Sequence, residues 1–240
     1  MNSLGLTKEF DPLTKEPSNS KRFYLGLPIL FYFGLLMPLL LVCPFLPMKT
    51  WTNLDPFSRI IGVIVWLLIA PRLLNRDEGF LKGQDWKFER TNVLFGILSG
   101  FVLLSIVLGF ASFFDMSKLK SSIPNSQACV VLLFLTNSFV TPFCEELMWR
   151  GILWNRLSKA RSQMGVLIIT SVAFGLAHLV IDFSFVRIPT LILFGFGCGL
   201  VRMRWGLSAS YATHAVANLL AGFWLFFPTV SHKIQMFLGF

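Results

Sequence analysis

The residues best suited to chemistry in this chain lie in its second half. Glu145-Glu146-Leu147-Met148-Trp149-Arg150 sets two carboxylates and a guanidinium in a segment otherwise apolar enough for a lipid bilayer. One charged side chain at a bilayer centre costs on the order of 2.5–3.5 kcal/mol by insertion scales. Three of them together require a compensating role that packing rarely supplies. Two histidines in later apolar segments, His178 and His214, direct that role toward a reactive site.

Helical spacing divides the charged group. Glu146 and Arg150 are i,i+4 with the acid first, the favourable order for a pair on one face. Glu145 points about 100° away, so one glutamate is expected to be structural and the other to serve chemistry. Phe174 and His178 share a face at i,i+4, as do His214 and Asn218. Pro142, three residues before Glu145, is expected to kink the helix and open its backbone beside the site.

Composition sets the medium in which these residues act. Of 240 residues, 55% are hydrophobic and 14% charged, against roughly 25% charged in an average globular chain. The 26 Phe and 7 Trp suit lipid-facing surfaces and interfacial belts. The fold expected is all-α, a polytopic transmembrane bundle. Its net charge of +9 is spread between apolar runs, which fits loop topology rather than nucleic acid, with anionic lipid a secondary contributor.

Seven apolar segments suit membrane spans: 23–46, 57–75, 91–114, 126–156, 164–181, 188–203 and 207–226. The polar stretch 1–22 precedes them as a cytoplasmic tail. Residues 23–240 form one integral membrane domain with its motif core at about 137–226. The tail 227–240 is too short for an eighth span and is expected at the interface. With the N-terminus inside, only Lys49, Arg59, Lys118, Lys120, Arg187 and Lys233 of the 21 basic residues fall outside, which fixes the orientation. Arg202 and Arg204 belong to the inner set. Gly195 and Gly199 in the sixth segment form a GxxxG pair that lets helices approach closely.

The four cysteines, Cys43, Cys129, Cys144 and Cys198, have no metal-type spacing and read as buried apolar residues. Cys144 precedes Glu145, but neighbouring carboxylates oppose the thiolate that a nucleophile needs. His232 in the tail is given no role.

Depth counting brings the segments together. Glu145 lies about sixteen residues before the turn near Lys159-Ala160-Arg161-Ser162 and His178 about sixteen after it. At ~1.5 Å per residue both sit ~24 Å from that turn, so carboxylate and imidazole can meet at one level. Asn218 lies ~18 Å into the last span and His214 one turn shallower.

These residues carry a family resemblance. Glu145-Glu146-Leu147-Met148-Trp149-Arg150 reads as EExxxR, Phe174-Gly175-Leu176-Ala177-His178 as FxxxH, and His214-Ala215-Val216-Ala217-Asn218 as HxxxN. In that order, on successive apolar segments, they resemble the CPBP family of intramembrane proteases. That family includes CAAX prenyl endopeptidases and bacteriocin-processing or self-immunity relatives. The resemblance implies that Glu145 and His178 activate a water against a peptide carbonyl. It gives His214 and Asn218 the oxyanion, with Glu146, Arg150 and Phe174 in support. An oxyanion donor is typically worth ~10²–10³ in rate.

The resulting expectation is an intramembrane endopeptidase acting on a membrane-attached protein or peptide near its C-terminus, without a cofactor. Zinc held by Glu145, His178 and His214 is the chemical alternative. The functional alternative is a non-proteolytic binding protein, in immunity or as a secretion accessory, that uses the same polar cavity. A proton-coupled transporter could also use buried Glu and His, but the first half lacks a matching broken-helix repeat. The membrane expected is a bacterial plasma membrane, or endoplasmic reticulum in a eukaryote.

Overall fold

A computed structural model describes residues 88–113, 126–179 and 185–227, Trp86, and part of the stretch 54–68. The expected N-terminal tail 1–22, the first span 23–46, Cys43 and the segment 228–240 with His232 lie outside the described residues. Of the expected second span, residues 59–64 are helical, and Val63 is buried in the core.

The described residues are helical, with no strand among them. Helix α1 spans Arg90–Ala111 and α2 spans Gln127–Leu157; α3 follows at Gln163–Ala177. A 3-10 turn, Phe185–Arg187, leads into α4 at Ile188–Trp205, and α5 covers Leu207–Phe226. These match the third to seventh expected segments to within a few residues. The exception is the fifth, whose helix ends at Ala177 with His178 as its C-cap.

Local chemistry explains the boundaries. Ser162 caps α3, its hydroxyl accepting from the Gly165 amide at 3.2 Å. Gly206 alone separates α4 from α5 and has φ 89°, ψ 178°, backbone that only glycine adopts without strain. That corner folds α5 back without a loop.

Among the described residues, Arg90–Ala111, Gln127–Leu157 and Phe185–Trp205 are long and apolar enough to cross a membrane, and Gln163–Ala177 is a shorter apolar helix. Leu94, Phe95, Leu98, Phe101 and Val102 are exposed on α1, as expected where lipid is the solvent. The protein is an integral membrane protein. Helix α5 is more polar because it buries Ser208, Ser210, Thr213 and His214 within the bundle.

Small residues let the helices approach. The Gly96 and Gly100 positions on α1 face the Ala209 and Thr213 carbonyls of α5, and Thr213 Oγ1 donates to the Gly96 carbonyl at 3.0 Å. Gly195 on α4 leaves space for Phe174, Ser171 and the Arg150 guanidinium, and Gly199 for Leu167. This is the close packing by which membrane helices associate without a hydrophobic driving force between them.

Helix α2 is not uniform. It passes through π-helical turns at Thr136–Val140 and Leu147–Leu153, on either side of the α-helical stretch Thr141–Glu146. The perturbation expected at Pro142 takes the form of a register change. The Thr141 amide bonds to the Thr136 carbonyl, an i→i+5 step, and the proline follows it.

Candidate active site

The two glutamates stand side by side between the π-turns and are turned to different partners. Glu146 is wholly buried. Its Oε1 accepts from Arg150 Nη1 at 3.1 Å and lies 2.9 Å from His214 Nδ1. Its Oε2 lies 2.5 Å from the Ser210 hydroxyl, which is also 2.9 Å from the Cys198 carbonyl. A hydroxyl has one proton, so Ser210 serves one of these acceptors at a time.

Arg150 is equally buried. Besides Glu146, it donates from Nη2 to the Gly195 carbonyl at 2.8 Å, and its guanidinium carbon sits 4.8 Å from the centre of the Phe174 ring. The planar guanidinium thus meets a carboxylate, a helix carbonyl and an aromatic face together. Arg202 on α4 returns the contact, its Nε donating to the Arg150 carbonyl at 3.1 Å.

Glu145, 3% exposed, faces both imidazoles. Its Oε1 is 4.0 Å from His178 Nε2, and its Oε2 is 3.5 Å from His214 Nε2. Helices α2 and α3 therefore bring Glu145 and His178 to one level. The other nitrogen of each ring is engaged. His178 Nδ1 is 2.8 Å from the Phe174 carbonyl, an acceptor only, so the proton resides on Nδ1 and a neutral His178 turns a lone pair at Nε2 toward Glu145. His214 Nδ1 faces the Glu146 carboxylate and donates to it by the same logic.

Phe174 ties the cluster together. Its carbonyl fixes His178 and its ring underlies Arg150. The ring centre is also 4.6 Å from the His178 ring and 6.0 Å from the His214 ring. Phe194 covers His214 from α4 at 4.8 Å. Water is excluded on these sides, which strengthens each polar contact within.

Asn218 is placed differently from the rest. Its amide nitrogen donates to the Asn137 carbonyl at 3.0 Å, which occupies one of its two amide hydrogens. Cys144 and Cys198 are buried with free thiols. Neither Ser210 nor Asn137 is marked by type or spacing, and Gly195 is marked only as a helix-packing residue. Arg202 was legible only as a topological charge, and a serine among small residues gives no signal.

One residue set among the described residues is spaced for a metal. Glu146, Cys198 and His214 offer atoms within 4.8 Å of one another, but Arg150 lies against Glu146 and would oppose a cation there. Glu145, His178 and His214, the set expected from the sequence, do not come within that spacing of one another, although the second nitrogen of each imidazole is held by an acceptor, as in many metal-ligating histidines.

Residues 127–220 match the family model described as type II CAAX prenyl endopeptidase Rce1-like, a stretch that contains all three motifs. No curated protein and no solved structure matches the chain.

Proposed function

We propose that this chain, a member of the CPBP/CAAX protease family through residues 127–220, is an intramembrane endopeptidase that hydrolyses a peptide bond near the C-terminus of a membrane-attached protein or peptide. The observation that carries the reading is the pair of acceptors 4.0 Å apart, Glu145 Oε1 and His178 Nε2. Two hydrogen-bond legs of ~2.8 Å span that gap at an angle of about 90°, close to what the two protons of one water require. A water held there donates both hydrogens and turns its oxygen lone pairs away, toward a substrate carbonyl.

The water oxygen bonds to the carbonyl carbon, and Glu145, assisted by His178, takes the released proton. The carbonyl oxygen becomes an oxyanion. That proton next passes to the departing nitrogen as the oxyanion re-forms the carbonyl and the C–N bond breaks, leaving a carboxylic acid and an amine; the acid then gives up the second water proton and leaves as a carboxylate. His214 stabilises the oxyanion by donation from Nε2, with Nδ1 held by Glu146. Donation from both ring nitrogens requires the imidazolium form. The second amide hydrogen of Asn218 is the further donor that the family resemblance implies.

Within this proposal the chain crosses the membrane seven times with its N-terminus in the cytoplasm, and a bacterial plasma membrane is its location. Glu145→Gln and His178→Ala, each assayed as folded protein in proteoliposomes carrying a membrane-tethered reporter peptide, should slow cleavage at least about a hundredfold. Cleavage near the wild-type rate in either variant would refute the proposal. Survival of the cellular function in both variants would favour the binding-protein alternative.

A second reading is favoured by the held Nδ1 atoms of both histidines: Glu145, His178 and His214 as zinc ligands, with the metal supplying an acidified water. Magnitude argues against it. Ligand atoms ~2.0–2.1 Å from a tetrahedral ion lie about 3.3 Å apart, less than the 4.0 Å between His178 and Glu145. Zinc content of the purified protein, with activity before and after chelation, separates the two.

A further inference from the structure

The residues that hold the π-turns supply an inference beyond the choice of base and oxyanion donor. Each π-turn flanking Glu145 and Glu146 has a carbonyl bound by a side chain from another helix. At the first turn, the Thr141 amide goes to Thr136, one residue short of Asn137. The next amide in line belongs to position 142, a proline with no N–H. The Asn137 carbonyl is thereby bypassed, and Asn218 Nδ2 from α5 meets it at 3.0 Å. At the second turn the Trp154 amide bonds to the Trp149 and Gly151 carbonyls and passes over that of Arg150. Arg202 Nε from α4 meets the Arg150 carbonyl at 3.1 Å.

Spacing makes both stakes part of one arrangement. Ser210, His214 and Asn218 recur every four residues on α5, so one face carries the contacts to Glu146 and to Asn137. Gly195 and Arg202 are two turns apart on α4. One accepts from the Arg150 side chain and the other donates to its backbone.

We infer that Asn218 and Arg202 are positioning residues: by binding the Asn137 and Arg150 carbonyls they hold the π-turns on either side of Glu145-Glu146 and fix how far Glu145 is turned toward His178. A π-turn inserts one residue into the helical register, and everything beyond it rotates with it. Were either turn to relax to α-helical register, Glu145 would move off the 4.0 Å gap. A misplacement of ~1 Å can cost ~10² in rate. For Asn218 this task is separate from any contact with the oxyanion.

The test is a double-mutant cycle that exploits the proline. Pro142→Ala restores an amide in line with the Asn137 carbonyl, so Asn218→Ala should cost about tenfold less turnover per folded molecule in that background than beside Pro142. The same coupling should appear in the unfolding temperature. Equal losses in turnover in both backgrounds would overturn the inference, whether or not the unfolding temperatures couple, since a donor acting only on substrate gains nothing from position 142.

Arg202 provides a second comparison that needs no proline change. Arg202→Gln keeps an N–H donor where Nε stands and Arg202→Met does not, while both lose the charge. Turnover should stay within about threefold in the first and fall about tenfold in the second; equal values overturn the clamp at that end. The turnover readouts rest on the protease reading. A wild-type protein that cleaves nothing would refute that reading, and the unfolding-temperature cycle would then decide whether Asn218 braces the turn.

Discussion

Glu146→Gln removes the one carboxylate on which three groups converge: Arg150 at 3.1 Å, His214 at 2.9 Å and Ser210 at 2.5 Å. Glu146 and Arg150 are both wholly buried, so the loss cannot be screened by water. Breaking a buried ion pair from one side typically costs about 3–5 kcal/mol, because the remaining charge stays desolvated. Net stabilities are only ~5–15 kcal/mol, so this is a large share. At a factor of ten per ~1.4 kcal/mol, the folded-to-unfolded ratio falls roughly a hundredfold to several thousandfold.

The cation-π contact with Phe174 and the bond to the Gly195 carbonyl remain to Arg150, which argues for the lower end. Removing both charges should hurt less than removing one. Glu146→Gln with Arg150→Met is expected to recover much of the lost stability. The assay is the yield and unfolding temperature of detergent-extracted protein by size exclusion. A Glu146→Gln protein that accumulates and melts like wild type would refute the division of labour between the glutamates. So would a double variant worse than the single one.

Other expectations follow from the same geometry. Glu145→Gln should accumulate normally yet lose about 10²–10⁴ in turnover, the range for a positioned acid–base group, measured on the tethered reporter with folded protein as the denominator. His214→Ala should cost ~10²–10³ in turnover, while Ser210→Ala, which leaves the histidine in place, should cost far less. Exhaustive chelation should leave cleavage intact; loss restored only by zinc would replace the metal-free mechanism. Gly195→Leu should fail to accumulate folded protein, because even a Cβ there meets Arg150 and Phe174 at 3.2 Å.

What could be read from the sequence was whatever obeys a regular helix. The Glu146–Arg150 pair follows from i,i+4 spacing, and the meeting of Glu145 with His178 follows from equal rise on two sides of one turn. The extents of α1, α2, α4 and α5 followed from apolar run length, whereas α3 ends at Ala177, short of its run. The π-turns were hidden because one inserted residue leaves the apolar pattern of a buried helix unchanged. Pro142 was the visible sign, and it speaks of a missing amide without saying how the register adapts. The hold of Glu146 on His214 could not be foreseen, since the sequence orders helices along the chain but does not set the rotation of α5 against α2. Arg202 was read by its charge, whereas its contact with Arg150 depends on where one guanidinium N–H reaches a backbone carbonyl, which charge counting does not give.

On the proposed mechanism, Glu145 and His178 act together to cut a membrane-attached substrate. Its most direct test compares the C-termini of membrane proteins, by mass spectrometry, in native cells making the wild-type chain, Glu145→Gln or His178→Ala at matched levels of inserted protein. One or a few proteins should have C-termini that are longer, by the same residues, in both variants. C-termini identical across all three strains would contradict it.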